Sequence, residues 1–338
     1  MPADKSHPRK ISYAELKKRC ETADLSAEEL RAYFAEDKER SKAFQPALKV
    51  DETSVDLTGH RKPTPRQVAE LYQQATRTPQ KSVEGAVPTV TPKSLTAKTK
   101  SMAKSLKATD ARVLGEGDSW FNLPAVIYPP TALDVLAETH DVRSIAMWGD
   151  ELDQMVAAKQ YLQPLKSGAF RHFLFSGGGN DVLGSIPKYV KKHQAGKTDP
   201  AHYVNADFAA KIDELMKAYG KLADDVRTAT KGGTVLYVHG YANGIPRKNG
   251  RYIGGPLEAL GFGPETALAK GIVRHMVAMF NTALKAFAAS RSNVVYVDMR
   301  GAMNASDWIA DEIHPRKSGS EKIAALFKAA MAKNNLTS

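Results

Sequence analysis

A serine at position 119 has the surroundings of a nucleophile. It lies in Gly117-Asp118-Ser119, after the apolar residues Val113 and Leu114, so we expect it at the end of a buried strand. Glycine permits a sharp turn that brings backbone close to a substrate, and a serine at a strand end is rigidly held yet accessible. Taken alone, the segment is more typical of a turn in which Asp118 and Ser119 cap the next element.

Two later segments contain the other groups that a serine nucleophile needs. The run 177–181 follows an apolar strand pattern, and its Asn180 amide could donate a hydrogen bond above the sheet. Asp311 precedes His314 by three residues, so one turn can hold the carboxylate against the imidazole and fix its tautomer. A glycine-rich turn and a helix-capping Asp with a surface His are the ordinary alternatives. The order Ser, Asn, Asp-x-x-His favours a shared site.

These segments resemble the sequence blocks of the SGNH, or GDSL, hydrolase family. The resemblance covers residues 110 to 332 and says nothing about residues 1 to 108. Trp120 follows the serine where the family often has Leu or Ile, a departure that concerns the shape of the pocket. The matching residues are Gly117, Asp118 and Ser119 in the first block, Gly149 in the second, Gly178, Gly179, Asn180 and Asp181 in the third, and Asp311 and His314 in the fifth.

The resemblance implies hydrolysis of a carboxylic ester through an acyl-serine intermediate. Ser119 would be the nucleophile, His314 the base and Asp311 the group that orients it. The backbone N–H groups of Ser119 and Gly149 and the side chain of Asn180 would form the oxyanion hole. No metal or organic cofactor is implied. Asp118 and Asp181 are expected to brace the two loops, and His239 and His275 to be structural.

The substrate is predicted from one long loop, residues 239–263, which is rich in glycine, proline and aromatic residues. Long loops over a site usually determine specificity. Its apolar bias favours a lipid or phospholipid acyl ester, with a carbohydrate O-deacetylase as the second interpretation. A catalytically silent binding module is the alternative from another class. The candidate substrate-binding residues, some of which could merely pin the loop, are Trp120, Phe121, Tyr241, Ile245 and Tyr252.

Alternating apolar runs and amphipathic stripes predict the fold. Strands are expected at 112–116, 142–148, 171–176, 234–239 and 293–298, with long helices between several of them. This alternation predicts a three-layer α/β/α sandwich, in which the site forms beyond the carboxyl ends of the strands. The family resemblance implies a five-stranded, flavodoxin-like parallel sheet in the order 2-1-3-4-5.

The amino-terminal third has a different character. Ser12 with Glu15 and Ser26 with Glu29 have the spacing of capped helix starts, so residues 1–88 are predicted to be a small helical region. Residues 89–109 form a basic, Ser/Thr/Pro-rich stretch that we interpret as a solvated linker to the catalytic domain, 110–338. An anionic membrane surface is its alternative partner, and no nucleic-acid motif is present. Its lysines are at positions 93, 98, 100, 104 and 107.

Composition limits the remaining classes. The 338 residues are 42% hydrophobic and carry a formal net charge of +11, and Cys20, the single cysteine, excludes an internal disulfide framework. No apolar run approaches the ~18 residues of a membrane span. The amino terminus lacks the apolar core of a signal peptide, so we expect a cytoplasmic protein or export by a route independent of such a signal.

Overall fold

The computed structural model describes residues 8–41, 46–76 and 112–334. These residues fall into two compact units. One lies within Met1–Leu95 and takes in Pro124–Tyr128, and the other lies within Thr96–Leu123 and Pro129–Ser338. The basic segment 89–109, predicted to be a linker, lies outside the described residues.

The amino-terminal unit is helical, as predicted, but it also contains short strands. Ser12 and Ser26 cap the first two helices, and the Ser26 cap is reciprocal because the Glu29 side chain accepts the Ser26 N–H. The strands have two or three residues each, too few for an alternating pattern in the sequence. The elements are β1 (Ile11–Ser12), α1 (Tyr13–Glu21), α2 (Ala27–Tyr33), β2 (Phe34–Glu36), β3 (Leu48–Val50), β4 (Val55–Asp56) and α3 (Pro65–Thr76).

The larger unit is built on one parallel sheet. Its strands are ordered β6-β5-β7-β8-β9, which is 2-1-3-4-5 along this part of the chain and confirms the expected topology. β5, β7 and β8 are buried at nearly every position, because helices cover both faces of the sheet. The strands are β5 (Arg112–Gly117), β6 (Val142–Ser144), β7 (Phe170–Ser176), β8 (Val235–His239) and β9 (Val294–Val297).

The second strand is shorter than the predicted 142–148. Regular pairing of β6 ends at Ser144, although Ile145 and Met147 still donate backbone hydrogen bonds to Gly115 and Gly117 of β5, at 2.8 and 2.9 Å. The segment after β6 therefore stays beside the strand that leads to Ser119.

Helices of very different length connect these strands. The three longest carry the predicted apolar stripes, and Asn205 and Thr266 cap two of them. The helices are α4 (Ala132–Ala137), α5 (Leu152–Ala158), α6 (Leu162–Lys166), α7 (Gly179–Leu183), α8 (Ile186–Tyr189), α9 (Pro200–Tyr203), α10 (Ala206–Thr230), α11 (Gly254–Ala259), α12 (Ala267–Ala289) and α13 (Lys317–Lys333), with a 3₁₀ turn at Ala305–Asp307. None of the helices in the described ranges is long and apolar enough to cross a membrane.

Candidate active site

Ser119, His314 and Asp311 form a continuous hydrogen-bonded chain. Ser119 follows β5 at the carboxyl edge of the sheet, and its Oγ lies 2.8 Å from His314 Nε2. On the other side of the ring, His314 Nδ1 lies 2.6 Å from Asp311 Oδ2. The His314 backbone N–H also donates to Asp311 Oδ1, at 3.1 Å, so the turn holds the carboxylate at two points. A hydroxyl, an imidazole and a carboxylate in this order can activate a serine.

A second hydrogen bond spans the same two segments. Trp120, directly after the serine, donates its indole N–H to the carbonyl of Ile313, directly before the histidine, at 3.1 Å. The indole ring also stacks on His239 with a 5.6 Å centroid separation. The residues adjoining Ser119 and His314 are therefore joined to each other independently of the Ser119 and His314 side chains.

Asp118 fixes the turn that presents Ser119. Its Oδ1 accepts hydrogen bonds from the Trp120 backbone N–H, at 3.1 Å, and from Ser176 Oγ, at 2.7 Å. Its Oδ2 accepts a short hydrogen bond from the Tyr241 hydroxyl. Gly117 precedes it at a φ of +156°, where a Cβ would overlap Ser176, so a side chain at 117 would separate the turn from β7.

Gly149 and Asn180, predicted for the oxyanion hole, follow the two strands that flank β5. Gly149 has a φ of +83°, a backbone conformation that favours glycine. Asn180 donates one amide hydrogen to the carbonyl of Asp150, at 2.8 Å, and an amide has a second hydrogen to donate. Within residues 112–334, the backbone N–H groups of Ser119 and Gly149 donate to no protein acceptor. Three donors are thus available at this edge of the sheet.

Asp181, beside Asn180, secures the loop after β7. Its Oδ2 accepts the backbone N–H of Leu152 at 3.1 Å, and its Oδ1 lies 3.2 Å from Lys211 Nζ. Burial raises the pKa of Asp181, while the bond from Leu152 and the charge of Lys211 act in the opposite direction. These contacts agree with the bracing role expected for this residue.

Glu116 is a buried carboxyl group that no sequence motif singled out. It lies on β5 two residues before Asp118 and is 3% exposed, and its Oε2 has no hydrogen-bond partner in the described part of the chain. Burial, with a further contribution from the charge of Asp150, raises the pKa of Glu116 to about 8. The group is consequently protonated at neutral pH.

The structure buries most of the predicted substrate-binding residues. Trp120, Phe121, Tyr241 and Tyr252 are 1–7% exposed, whereas Ile245 is half-buried. Trp120 and Tyr241 also use their polar atoms for hydrogen bonds within the protein. These contacts show how the rings pack; their role in substrate binding stays a prediction.

His239 packs against the Trp120 ring. His239 is fully buried, and burial lowers its pKa, in agreement with the structural role expected for it. Among the described residues, no cluster of three or more His, Cys, Asp or Glu side chains could hold a metal ion.

Glu312, inside the Asp311–His314 turn, is buried and contacts the 239–263 loop. Sequence reasoning missed it because no local pattern connects residue 312 with that loop.

Comparisons with known proteins find matches among solved structures and no match by sequence. No protein-family profile matches the chain, and no curated protein matches it. Solved structures similar to it include a GDSL-like lipase from Bacteroides thetaiotaomicron, with 14% identity, 70% of this chain and 94% of that one covered, and a TM-score of 0.43. A member of the lipolytic G-D-S-L family from Veillonella parvula has 16% identity, coverage of 66% and 98%, and a TM-score of 0.38.

An acetyl xylan esterase from Geobacillus stearothermophilus has 14% identity, coverage of 68% and 97%, and a TM-score of 0.39. At such identities, similarity concerns the fold alone. The larger unit is a three-layer α/β/α sandwich on a five-stranded parallel sheet with the strand order 2-1-3-4-5.

Proposed function

We propose that the protein is a serine esterase that hydrolyses carboxylic esters through an acyl-serine intermediate. The observation that carries the proposal is the chain of contacts from Ser119 Oγ to His314 Nε2, at 2.8 Å, and from His314 Nδ1 to Asp311, at 2.6 Å. The buried imidazole has one nitrogen on the hydroxyl and the other on a carboxylate. This arrangement defines its tautomer and its direction of proton transfer.

In the acylation step, Ser119 Oγ forms a bond to the ester carbonyl carbon while its proton passes to His314 Nε2. The carbonyl π electrons move to oxygen, where the N–H groups of Ser119 and Gly149 and the second amide hydrogen of Asn180 would stabilise the negative charge. Asp311 stabilises the imidazolium. Collapse of this intermediate breaks the ester C–O bond, and His314 returns its proton to the departing alkoxide.

In the deacylation step, water attacks the acyl-serine carbonyl. His314 takes a proton from this water as the new C–O bond forms, and then protonates Ser119 Oγ as the acyl bond breaks. The products are the carboxylic acid, the alcohol released earlier and the original serine. In both steps His314 is the protein group that takes up and returns the proton.

As the first candidate substrate we propose a lipid or phospholipid acyl ester, because the rings beside Ser119 and His314 are apolar. The carbohydrate O-deacetylase is the second candidate, and the burial of these rings favours it. Side chains that are only 1–7% exposed offer little apolar surface to a long acyl chain, whereas an acetyl group needs little. Rates on p-nitrophenyl acetate, octanoate and palmitate, followed by phospholipids and acetylated xylan, would decide between them.

The test of the catalytic proposal is labelling with a fluorophosphonate probe together with hydrolysis of p-nitrophenyl acetate. The Ser119→Ala variant should lose labelling and lower kcat by about 10⁴-fold or more, because it lacks the nucleophile. Ser185→Ala is the matched control, since Ser185 is exposed and makes no capping hydrogen bond at the start of α8. It should label and turn over like the parent chain. Persistent labelling of Ser119→Ala would contradict the assignment of the nucleophile.

The amino-terminal region and the basic segment 89–109 are proposed to bind a partner or an anionic membrane surface, with no part in the chemistry. The support is the positive charge of the segment in the sequence. Binding of the full chain to vesicles of anionic and of neutral phospholipids, at low and high salt, tests this. Equal binding to both kinds of vesicle would contradict the electrostatic interpretation.

A further inference from the structure

Glu312 makes an unusual set of contacts with the segment 244–254, here called the anchored loop. It lies between Asp311 and His314, and its side chain is completely buried. Both carboxylate oxygens accept hydrogen bonds from backbone N–H groups of the anchored loop. The donors are Arg247 at 2.7 Å, Gly254 at 2.8 Å, Tyr252 at 2.9 Å and Ile253 at 2.9 Å.

The backbone of Glu312 supports the same association at some conformational cost. Its carbonyl accepts the N–H of Ile245 at 3.0 Å, at the start of the anchored loop. Its φ is +82°, in the region that disfavours residues with a Cβ. A glycine would adopt this conformation more easily. The presence of glutamate indicates that the carboxylate contacts outweigh the local strain.

The sequence of the anchored loop leaves room for this carboxylate. A Cβ at Gly250 would overlap Glu312 Oε1, and a Cβ at Gly254 would overlap the Arg247 carbonyl oxygen and also press on Oε1. At Gly244, a Cβ would come within 3.0 Å of the Glu312 carbonyl oxygen. Glycines occupy the places where the loop closes around the Glu312 side chain.

The anchored loop in turn contacts His314. Tyr252 donates its backbone N–H to Glu312, and its buried ring meets the imidazole edge-on, with ring centroids 5.6 Å apart and an interplanar angle of 86°. A shift of the loop would move this ring away from the imidazole. Glu312 therefore influences His314 from two directions, through the chain and through Tyr252.

We infer that Glu312 is a positioning residue whose carboxylate fixes the anchored loop against the Asp311–His314 turn and thereby orients His314. The effect of Glu312 on catalysis rests on the proposed function, because that function assigns His314 as the base. The anchoring itself does not depend on any activity. Two measurements therefore test the two parts separately.

The first measurement is amide hydrogen exchange in the Glu312→Gln variant. Glutamine has nearly the same shape, but its NH₂ group would face N–H donors and its single oxygen cannot serve all four. Peptides that cover 245–254 should exchange at least about tenfold faster than in the parent chain, with peptides from β5 and β8 unchanged. Wild-type exchange in the anchored loop would overturn the inference.

Glu258→Gln is the matched control for both measurements. Glu258 also contacts the anchored loop, but its carboxylate accepts one backbone hydrogen bond, from Asn249 at 3.1 Å in an exposed position. Its exchange should stay close to that of the parent chain. If Glu312→Gln fails to fold, Glu312→Gly keeps a residue suited to the positive φ, and it should show the same faster exchange confined to the loop.

The second measurement separates kcat from KM on p-nitrophenyl acetate. If Glu312 orients His314, Glu312→Gln should lower kcat by about tenfold with little change in KM, and Glu258→Gln should change neither by more than about twofold. A raised KM with an unchanged kcat would overturn the positioning role. An inactive parent chain would refute the proposed function, while the exchange comparison would still support or refute the anchoring.

Discussion

The end of β5 and the turn that follows it contain buried carboxyl groups in opposite circumstances. Asp118, in the turn, is 2% exposed and accepts three hydrogen bonds from two side chains and one backbone N–H. Glu116, two residues earlier, is 3% exposed, and its Oε2 has no partner within the described residues. The difference shows that burial alone does not define what an acid does. The donors that surround it decide whether it organises a turn or remains protonated.

The largest expected effect comes from removing the Asp118 carboxylate, because its oxygens accept three hydrogen bonds. Asp118→Ala would leave the Tyr241 hydroxyl, the Ser176 hydroxyl and the Trp120 N–H without their acceptor in a buried turn. We expect the free energy of unfolding to fall by about 3–5 kcal/mol, and the proposed esterase activity to fall with it because the turn presents Ser119. Urea unfolding and hydrolysis of a soluble ester measure the two losses.

Asp134→Ala is the control for this prediction. Asp134 is exposed and accepts the Thr131 N–H at 2.7 Å in the capping box of α4, so its loss should cost about 1 kcal/mol or less. Equal losses in the two variants would show that the Asp118 network has no special importance.

An intermediate effect is expected at Glu116, and it depends on pH. The pKa of Glu116 is about 8 in the folded chain, against about 4.3 for an unperturbed glutamate. Between these values the folded chain holds a proton that the unfolded chain has released, so this group makes stability fall as pH rises. Glu116→Gln removes the ionisation, and its Tm relative to the parent chain should rise by at least about 5 °C from pH 5 to pH 8.

Thermal unfolding of both chains at a series of pH values checks this prediction. The contrast between Glu116 and Asp118 would be contradicted if the Tm difference between Glu116→Gln and the parent chain were the same at pH 5 and pH 8. In that case the Glu116 carboxyl would have a partner that keeps its ionisation alike in both states.

The smallest effect concerns one donor of the Asp118 network. Tyr241→Phe removes the hydroxyl that donates to Asp118 and keeps the ring, so we expect a loss of about 1–2 kcal/mol in unfolding free energy. Tyr161→Phe is its match, because that hydroxyl donates to the partly exposed Asp225 at 2.9 Å. The loss at Tyr161 should be the smaller, and a larger one would mean that the Asp118 network tolerates missing donors.

The strands of the sheet and the site segments could be predicted from the sequence because they depend on local signals, whereas the strand order was implied only by the family resemblance of the site segments. A strand before Ser119, a glycine-rich turn before Asn180 and the three-residue spacing of Asp311 and His314 can all be identified within a few residues. The contacts of Glu312 join residues 58 to 65 positions apart, and they exist only once the anchored loop has closed. No local pattern contains that information.

Glu116 escaped prediction for a related reason. Its place in an apolar strand indicated burial, but only the folded surroundings reveal that Oε2 has no donor in the described part of the chain. For the aromatic residues around Ser119, the sequence suggested a role that their packing does not show. Their types suggested a substrate pocket, whereas their packing against one another and against His239 is a property of the assembled loops.

The hydrogen bond from the Trp120 indole to the Ile313 carbonyl makes the site observable by light. Indole emission responds to the loss of a hydrogen-bond acceptor and to nearby rings, and Trp120 has both on the segment next to the nucleophile. The chain has three tryptophans, so replacing Trp148 and Trp308 by phenylalanine would leave Trp120 as its one indole fluorophore. Its emission would then follow, in real time, any separation of the serine and histidine segments when a candidate ester substrate is added.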